Sequence, residues 1–177
     1  MLRTTSALLF VFAINAHASV NCVPGQVFQT TIGAVFKCIT TSNGDGAWQA
    51  PDGKAWSINL GRFQNEGLDK NLVVVDSEAV RECKKIGADL PTADDYFQLR
   101  NYFERDSVNA MTPKGIADMQ WLFRDMGDKS NANRAVFWTS TVAEHYPHLA
   151  GTFNGNWGSG ASWNRIYGLS VRCVFVK

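Results

Sequence analysis

Residues 76–100, which read DSEAVRECKKIGADLPTADDYFQLR, decide the fold class because they predict two consecutive helices. The first begins with a capping residue, carries acids early and lysines late, and ends at a glycine, so we expect a helix from about 77 to 86. Val80 and Cys83 lie near one face of that helix. The spacing therefore points the Cys83 thiol towards the core.

The second helix should follow Leu90-Pro91. Thr92 can cap it, and Asp95 stands three residues later as the partner of a capping box. Apolar residues then recur at intervals of three and four, at Tyr96, Leu99 and Phe103. This spacing predicts a core-facing stripe.

Strand-like runs flank the helical stretch on both sides. The predicted strands are 27–31 and 34–38 before it, and 135–140, 149–153 and 170–176 after it. Residues 106–133 have a weak pattern, so we predict an irregular region with one short ordered piece at 119–123. The stretch 154–164 is rich in Gly, Ser and Asn and is predicted to be a loop.

Composition and the first 18 residues indicate an exported protein. The chain has 177 residues, is 45% hydrophobic and carries 17 Lys and Arg against 16 Asp and Glu, which favours a folded domain without a long basic surface for nucleic acid. Arg3, the apolar run 7–14 and the triplet Ala16-His17-Ala18 predict a secretory signal cleaved after Ala18. The run is too short to span a bilayer, so we expect a soluble periplasmic or secreted protein with no membrane insertion.

In an oxidising compartment, four cysteines are expected to form disulfides. Four cysteines allow three pairings. A Cys22–Cys38 bond would close an N-terminal hairpin, whereas a Cys83–Cys173 bond would tie the middle of the chain to its end.

Five short motifs occur in a characteristic order along the chain. They are Gly53-Lys54-Ala55-Trp56, the helix carrying Cys83, Gly87-Ala88-Asp89-Leu90-Pro91-Thr92, Phe137-Trp138-Thr139-Ser140-Thr141 and Ser170-Val171-Arg172-Cys173-Val174. In this order they resemble bacterial C-type-lectin-like modules of the Lcl C-terminal-domain type, and more distantly the formylglycine-generating sulfatase-modifying family. The resemblance covers about residues 46–177.

The resemblance implies an α+β, C-type-lectin-like fold. Two helices would pack on small antiparallel sheets, a long loop region would form the ligand surface, and a disulfide would join the first helix to the last strand. Cys83 and Cys173 occupy those two places, which leaves Cys22 and Cys38 as the second pair. The predicted organisation is a signal peptide over 1–18, an N-terminal strand or hairpin extension over 19–45 and the lectin-like domain over 46–177.

The function that follows is a binding or adhesion module without catalysis, acting at the cell envelope or outside the cell. Its expected partner is a glycan or a surface protein, and a homo-oligomer is compatible with the sequence. Two alternatives stay open: an enzyme relative of the formylglycine-generating class, and a structural subunit or tip domain of a surface assembly.

Neither a metal, a cofactor nor a catalytic residue is expected. Lectin calcium sites that bind sugar carry a Trp-Asn-Asp triplet, whereas here Trp163-Asn164 is followed by Arg165. His145 and His148 are spaced as in some zinc sites, but Pro147 between them favours an exposed loop. The chain has no Gly-x-Ser-x-Gly elbow.

Aromatic and amide side chains are the candidate ligand contacts. Trp56, Trp121 and Trp138 lie in apolar or strand-like surroundings and are expected in the core. Trp157 and Trp163 lie among Gly, Ser and Asn, which favours either ligand contact or packing across the loop base. The predicted binding residues are Tyr146, Asn154, Asn156, Trp157, Trp163 and Asn164, although the asparagines suit turns as well.

Overall fold

The computed structural model describes residues 22–68, 76–107, 110–123, 126, 135–143, 145–155 and 158–176. The predicted leader over 1–18, together with Asn156 and Trp157, lies outside these residues. Within the described part the chain is an α+β protein of eight strands and three helices. The strands are β1 Val27–Gln29, β2 Val35–Thr40, β3 Gly46–Gln49, β4 Ala55–Phe63, β5 Val136–Val142, β6 Leu149–Asn154, β7 Ser159–Asn164 and β8 Leu169–Phe175; the helices are α1 Glu78–Lys85, α2 Ala93–Arg100 and α3 Pro113–Leu122.

All eight strands belong to one sheet, in the order β1-β2-β3-β4-β8-β5-β6-β7. Every neighbouring pair is antiparallel except β5 and β8, which run parallel and meet at Phe137 and Ser170. The last strand, β8, therefore lies in the middle of the sheet, between the strands that precede α1 and those that follow α3. The predicted N-terminal extension contributes β1 and β2 to this same sheet.

Side chains of β8 alternate between two cores, as the two-residue period of a strand requires. Leu169, Val171 and Cys173 join a core that contains the buried face of α1. Val174 points the other way, into a second core formed with α2 and α3. The sheet is thus covered by α1 on one face and by α2 and α3 on the other.

Local sequence signals place α1 and α2 as expected. The hydroxyl of Ser77 accepts from the Val80 amide at the start of α1. Thr92 and Asp95 form the complete capping box that was predicted for α2. The lysines in the last turn of α1 face the negative end of the helix dipole.

Two disulfides join the pairs named in the sequence analysis, Cys22–Cys38 and Cys83–Cys173. The second connects α1 to β8 across 90 residues. Two disulfides are compatible with a protein located outside the cytoplasm. None of the described helices is long and apolar enough to cross a membrane.

The prediction of an irregular region over 106–133 was wrong in part, because α3 occupies Pro113–Leu122. Thr112 caps this helix and Pro113 fills its first turn, where a missing N–H has no cost. Gly115 inside the helix weakens the sequence signal. It is needed because a Cβ there would lie 2.1 Å from the carbonyl oxygen of Glu104.

The prediction of a loop over 154–164 was also wrong in part. Residues Ser159–Asn164 form β7, which pairs with β6 from Leu149↔Asn164 to Asn154↔Ser159. Its sequence, SGASWN, has no alternation of apolar and polar residues because most of its residues are exposed at the edge of the sheet.

Candidate functional site

A cluster of exposed apolar and aromatic side chains lies where β6 begins and β7 ends. Its members are Tyr146 (58% exposed), Trp163 (38%), Ile166 (52%) and Tyr167 (52%), together with the exposed His148. We call these five residues the aromatic surface. Large apolar side chains that are exposed together mark interaction sites more often than those scattered singly.

Two pairs of rings order the aromatic surface. The ring centroids of Trp163 and Tyr167 are 6.1 Å apart, with their planes at 78°. Those of Tyr146 and His148 are 6.0 Å apart, at 80°. Both are edge-to-face arrangements, which hold an aromatic ring in position while leaving one of its faces open.

Strand register brings the two ring pairs together. Ala150 pairs with Trp163, and the amide of Arg165 donates to the His148 carbonyl at 3.1 Å, so the pairing continues beyond β6. His148 therefore lies diagonally across from Trp163. Diagonal neighbours on an antiparallel pair are about 7–8 Å apart, within reach of aromatic side chains.

Arg165 holds the backbone beneath the aromatic surface. Its side chain is buried, and its Nε donates to the carbonyl of Pro147 at 2.8 Å while its Nη1 donates to the carbonyl of Asn65 at 2.9 Å. Burial lowers the pKa of the Arg165 guanidinium. The guanidinium thus acts as a multiple hydrogen-bond donor that joins three segments of chain.

Asn65 is the buried centre of this network. Its Nδ2 donates to the carbonyl of Thr139 at 3.0 Å, and its Oδ1 accepts from the hydroxyl of Ser77 at 2.8 Å. Its own amide donates to the carbonyl of Arg165 at 3.0 Å. The network therefore links the aromatic surface to the start of α1 and to β5.

Side chains at the end of β4 also hydrogen-bond to the turn between β7 and β8. Gln64 donates from Nε2 to the carbonyl of Ile166 at 2.9 Å, and Arg62 donates from Nε to the carbonyl of Gly168 at 2.7 Å. Within the turn, the Tyr167 amide donates to the carbonyl of Asn164 at 3.1 Å. The exposed side chains of Ile166 and Tyr167 thus stand on a backbone that is hydrogen-bonded on both sides.

The structure brings three of the six predicted binding residues to one end of the β6–β7 hairpin: Tyr146, Trp163 and Asn164. The Asn164 side chain accepts from the Ile166 amide at 3.2 Å, so it serves the turn, as the alternative interpretation of the asparagines expected. Asn154 lies at the opposite end of the hairpin, paired with Ser159. Asn156 and Trp157 lie outside the described residues.

Sequence reasoning missed three members of the aromatic surface: His148, Ile166 and Tyr167. His148 was predicted to lie in an exposed loop but was not proposed as a binding residue, and the two others follow Arg165 in a stretch to which no role was assigned. The signal that could have identified Ile166 and Tyr167 is the number of large apolar or aromatic side chains in 163–167, three of five residues. Such a group beside a predicted loop favours exposure.

Of the three tryptophans expected in the core, two are buried there. Trp56 and Trp138 are almost fully enclosed, and Trp138 donates from Nε1 to the carbonyl of Phe63 at 2.7 Å. Trp121 instead is 42% exposed, although its ring stacks on Phe28 with centroids 4.3 Å apart. It lies near the end of α3.

The chemistry that the aromatic surface offers is stacking combined with neutral hydrogen bonding. Strand β7 contains no charged side chain. Among the described residues, no three His, Cys, Asp or Glu side chains are arranged to hold a metal ion. Open ring faces beside hydroxyl and backbone groups suit ligands that have apolar patches next to polar groups.

Comparison of the chain with models of known protein families, with curated proteins and with solved structures found no match in any of the three.

Proposed function

We propose that this chain is an exported binding or adhesion module of the C-type-lectin-like class, without catalysis, that recognises a glycan or a surface protein at the aromatic surface. The observation that carries the proposal is the exposed Trp163–Tyr167 ring pair, held on a turn that the buried Arg165 anchors. A rigid platform of aromatic rings loses little conformational entropy when a ligand binds.

The connections of α1 and β8 support the proposed fold class. The Cys83–Cys173 bond joins the first helix to the last strand, the place where the resemblance expects a disulfide. Strand β8 pairs antiparallel with β4, so the two ends of the proposed domain meet in the sheet. Two of the helices, α1 and α2, follow each other directly between these strands.

A binding role agrees better with the state of Cys173 than the enzyme alternative does. In the formylglycine-generating class, the chemistry uses a pair of nearby reactive thiols. Here Cys173 is fully buried and bonded to Cys83. Its sulfur is therefore part of a disulfide that holds the fold together. All four cysteines of the chain are in disulfides.

The first experiment screens the purified, disulfide-bonded protein against a glycan array and against envelope extracts. Trp163→Ala and Tyr167→Ala should each weaken binding of any ligand so found by about tenfold or more, as truncation of an aromatic hot spot does. Trp121→Ala is the matched control because Trp121 is a tryptophan of similar exposure outside the aromatic surface. It should bind as the unaltered protein does.

Melting curves of the same variants separate binding from folding. Loss of binding in Trp121→Ala but not in Trp163→Ala would place the ligand elsewhere. Turnover of a cysteine-containing peptide, dependent on a free Cys173 thiol, would instead support the enzyme alternative. No binding to any glycan or envelope component would leave the chain as a structural subunit and contradict the proposal.

A further inference from the structure

Strand β7 is an edge that no segment of the described part of the chain covers. In the described part of the chain the sheet ends at β1 and at β7. Strand β1 has only three residues, whereas β7 has six and contains no charge and no proline. Native proteins shield long edge strands with charges, prolines, bulges or covering segments, because open edges recruit other strands. The residues at the middle of β7 are instead exposed.

Two residues in the middle of β7, Gly160 and Ser162, present their backbone groups outward. The carbonyl of Ala161 accepts from Thr152 in β6, and the amide of Arg165 donates to His148, so both of these residues face β6. Backbone groups alternate in direction along an antiparallel strand. Gly160 and Ser162 therefore point their N–H and C=O groups away from the sheet, and nothing in the described part of the chain bonds to these groups.

The N–H and C=O groups of Gly160 and Ser162 can pair with the same four groups of a second copy related by a two-fold axis. If a second copy of β7 runs antiparallel with the axis at Ala161, Gly160 of one copy faces Ser162 of the other. Each such pair exchanges two N–H···O=C bonds, so the outward N–H and C=O groups of Gly160 and Ser162 find partners in both copies. Alternating donors and acceptors at strand spacing are satisfied by another strand and by few other ligands.

Side chains allow this register. Ala161 would lie opposite Ala161 of the partner subunit, and Trp163 opposite the partner's Ser159. At each position at least one of the two facing residues is small and neither is charged, so no pair of like charges opposes the contact. The Trp163 rings of the two copies would lie on the same face, on either side of the paired alanines.

We propose that β7 pairs with β7 of a second copy of this chain, antiparallel and two-fold symmetric about Ala161, and joins the two sheets into one. The contact is isologous, the symmetry of most soluble homodimers. It goes beyond the proposed function because it requires no ligand. It also sets two aromatic surfaces side by side, so a repeated ligand would be bound bivalently.

Analytical ultracentrifugation of the purified protein tests the contact. We expect a reversible monomer–dimer equilibrium with a dissociation constant of about 1–100 µM, since a single strand pair buries less surface than a standard interface. Ser162→Pro removes an outward N–H without removing a bond to β6 and should weaken the dimer at least about tenfold. Ser162→Ala keeps the N–H and is the matched control, for which we expect no change.

Cross-linking provides a second test that does not depend on proline. In the proposed register the Cβ atoms of the two Ala161 residues are about 4.5–5.5 Å apart, close enough for a disulfide after a small adjustment. Ala161→Cys should form a covalent dimer under mild oxidation, whereas Val27→Cys on the exposed edge strand β1 should not.

Three results would overturn the proposal. The first is a protein that sediments as a monomer at about 100 µM and above. The second is an Ala161→Cys variant that cross-links no faster than Val27→Cys. The third is a dimer that Ser162→Pro leaves intact.

Discussion

The guanidinium of Arg165 donates to the carbonyl of Asn65 across 100 residues of sequence. The same side chain reaches the carbonyl of Pro147, so one buried cation joins the end of β7 to the loop before β6 and to the segment after β4. Arg165 is the residue that follows Trp163-Asn164, where calcium-dependent lectins carry a carboxylate. In this chain a network of hydrogen bonds holds the backbone beneath the aromatic surface.

Replacing Arg165 by Met should loosen the aromatic surface. The buried carbonyl oxygen of Asn65 and the partly buried one of Pro147 would lose their donors, at up to about 1–3 kcal/mol each, partly offset because a buried charge is removed. We expect a net loss of about 1–3 kcal/mol in the free energy of unfolding, measured by denaturant titration. Arg62→Met is the control because Arg62 is exposed and donates to a single carbonyl. An equal loss in both variants would contradict a special role for Arg165.

Chelation of calcium should leave ligand binding unchanged. In the proposed lectin-like class the residue after the Trp-Asn pair of a sugar-binding calcium site is a carboxylate, whereas here it is the cation Arg165, and calcium needs six to eight oxygen ligands. The measurement is binding of the ligand identified by array, before and after EDTA treatment. Loss of binding in EDTA, followed by recovery when calcium is added and not when magnesium is added, would show that calcium holds the surface.

The helices that could be predicted are those whose signals are local. Ser77 and Gly87 bound α1, and Thr92 and Asp95 complete a box within four residues of chain. Helix α3 was missed in part because Gly115 lowers its helix propensity. The reason for that glycine is the backbone of Glu104, a tertiary contact that sequence patterns do not contain.

The candidate site was predictable only where exposure follows from composition. Trp163 was selected because its neighbours are small and polar, and it is exposed. Its place in a strand could not be predicted, since an edge strand with few buried residues lacks the two-residue period. The burial of Arg165 depends on Asn65, which lies too far along the chain for any spacing argument.

The two disulfides should differ in their contribution to stability. Cys83–Cys173 closes 90 residues and Cys22–Cys38 closes 16, and the chain-entropy model gives about 4–5 and about 3 kcal/mol for loops of these sizes. Replacing both members of each pair by Ala, followed by denaturant unfolding, measures the two contributions. The larger loss should follow removal of Cys83–Cys173. The reverse order would mean that residual structure in the unfolded chain outweighs loop length.

The Lys54–Asp95 pair should make stability depend on pH at both ends of the range. Lys54 Nζ lies 2.6 Å from Asp95 Oδ1, and both side chains are mostly buried. Burial alone would raise the pKa of Asp95, but hydrogen bonds from Lys54 and Thr92 outweigh it and lower this pKa below its usual 3.8. The hydrogen bond to Asp95 raises the pKa of Lys54 above 10.5.

Two losses of stability follow from these directions. A lowered Asp95 pKa stabilises the fold above about pH 4, and this contribution disappears as the pH falls through the folded-state pKa. A raised Lys54 pKa stabilises the fold below about pH 10.5 and is lost as the pH rises further. Each loss should be about 1 kcal/mol because solvent partly screens the pair. Lys54→Met should flatten both ends of the stability profile, and an unchanged acid limb would contradict this assignment.

Trp138 and Trp163 should respond in opposite ways to the same substitution. Trp138 is fully buried against the α1 side of the sheet and bonded to Phe63, so Trp138→Ala should cost about 3–5 kcal/mol of stability. Trp163 is 38% exposed at the end of an edge strand, and Trp163→Ala should cost less than about 1 kcal/mol while it abolishes most ligand binding.

Trp138→Phe separates packing from hydrogen bonding, because it keeps a ring but leaves the Phe63 carbonyl without its donor, at about 1–3 kcal/mol. Melting curves and the binding assay on the three variants decide the matter: a Trp163→Ala variant that unfolds as readily as Trp138→Ala would make Trp163 a core residue and remove the basis of the aromatic surface.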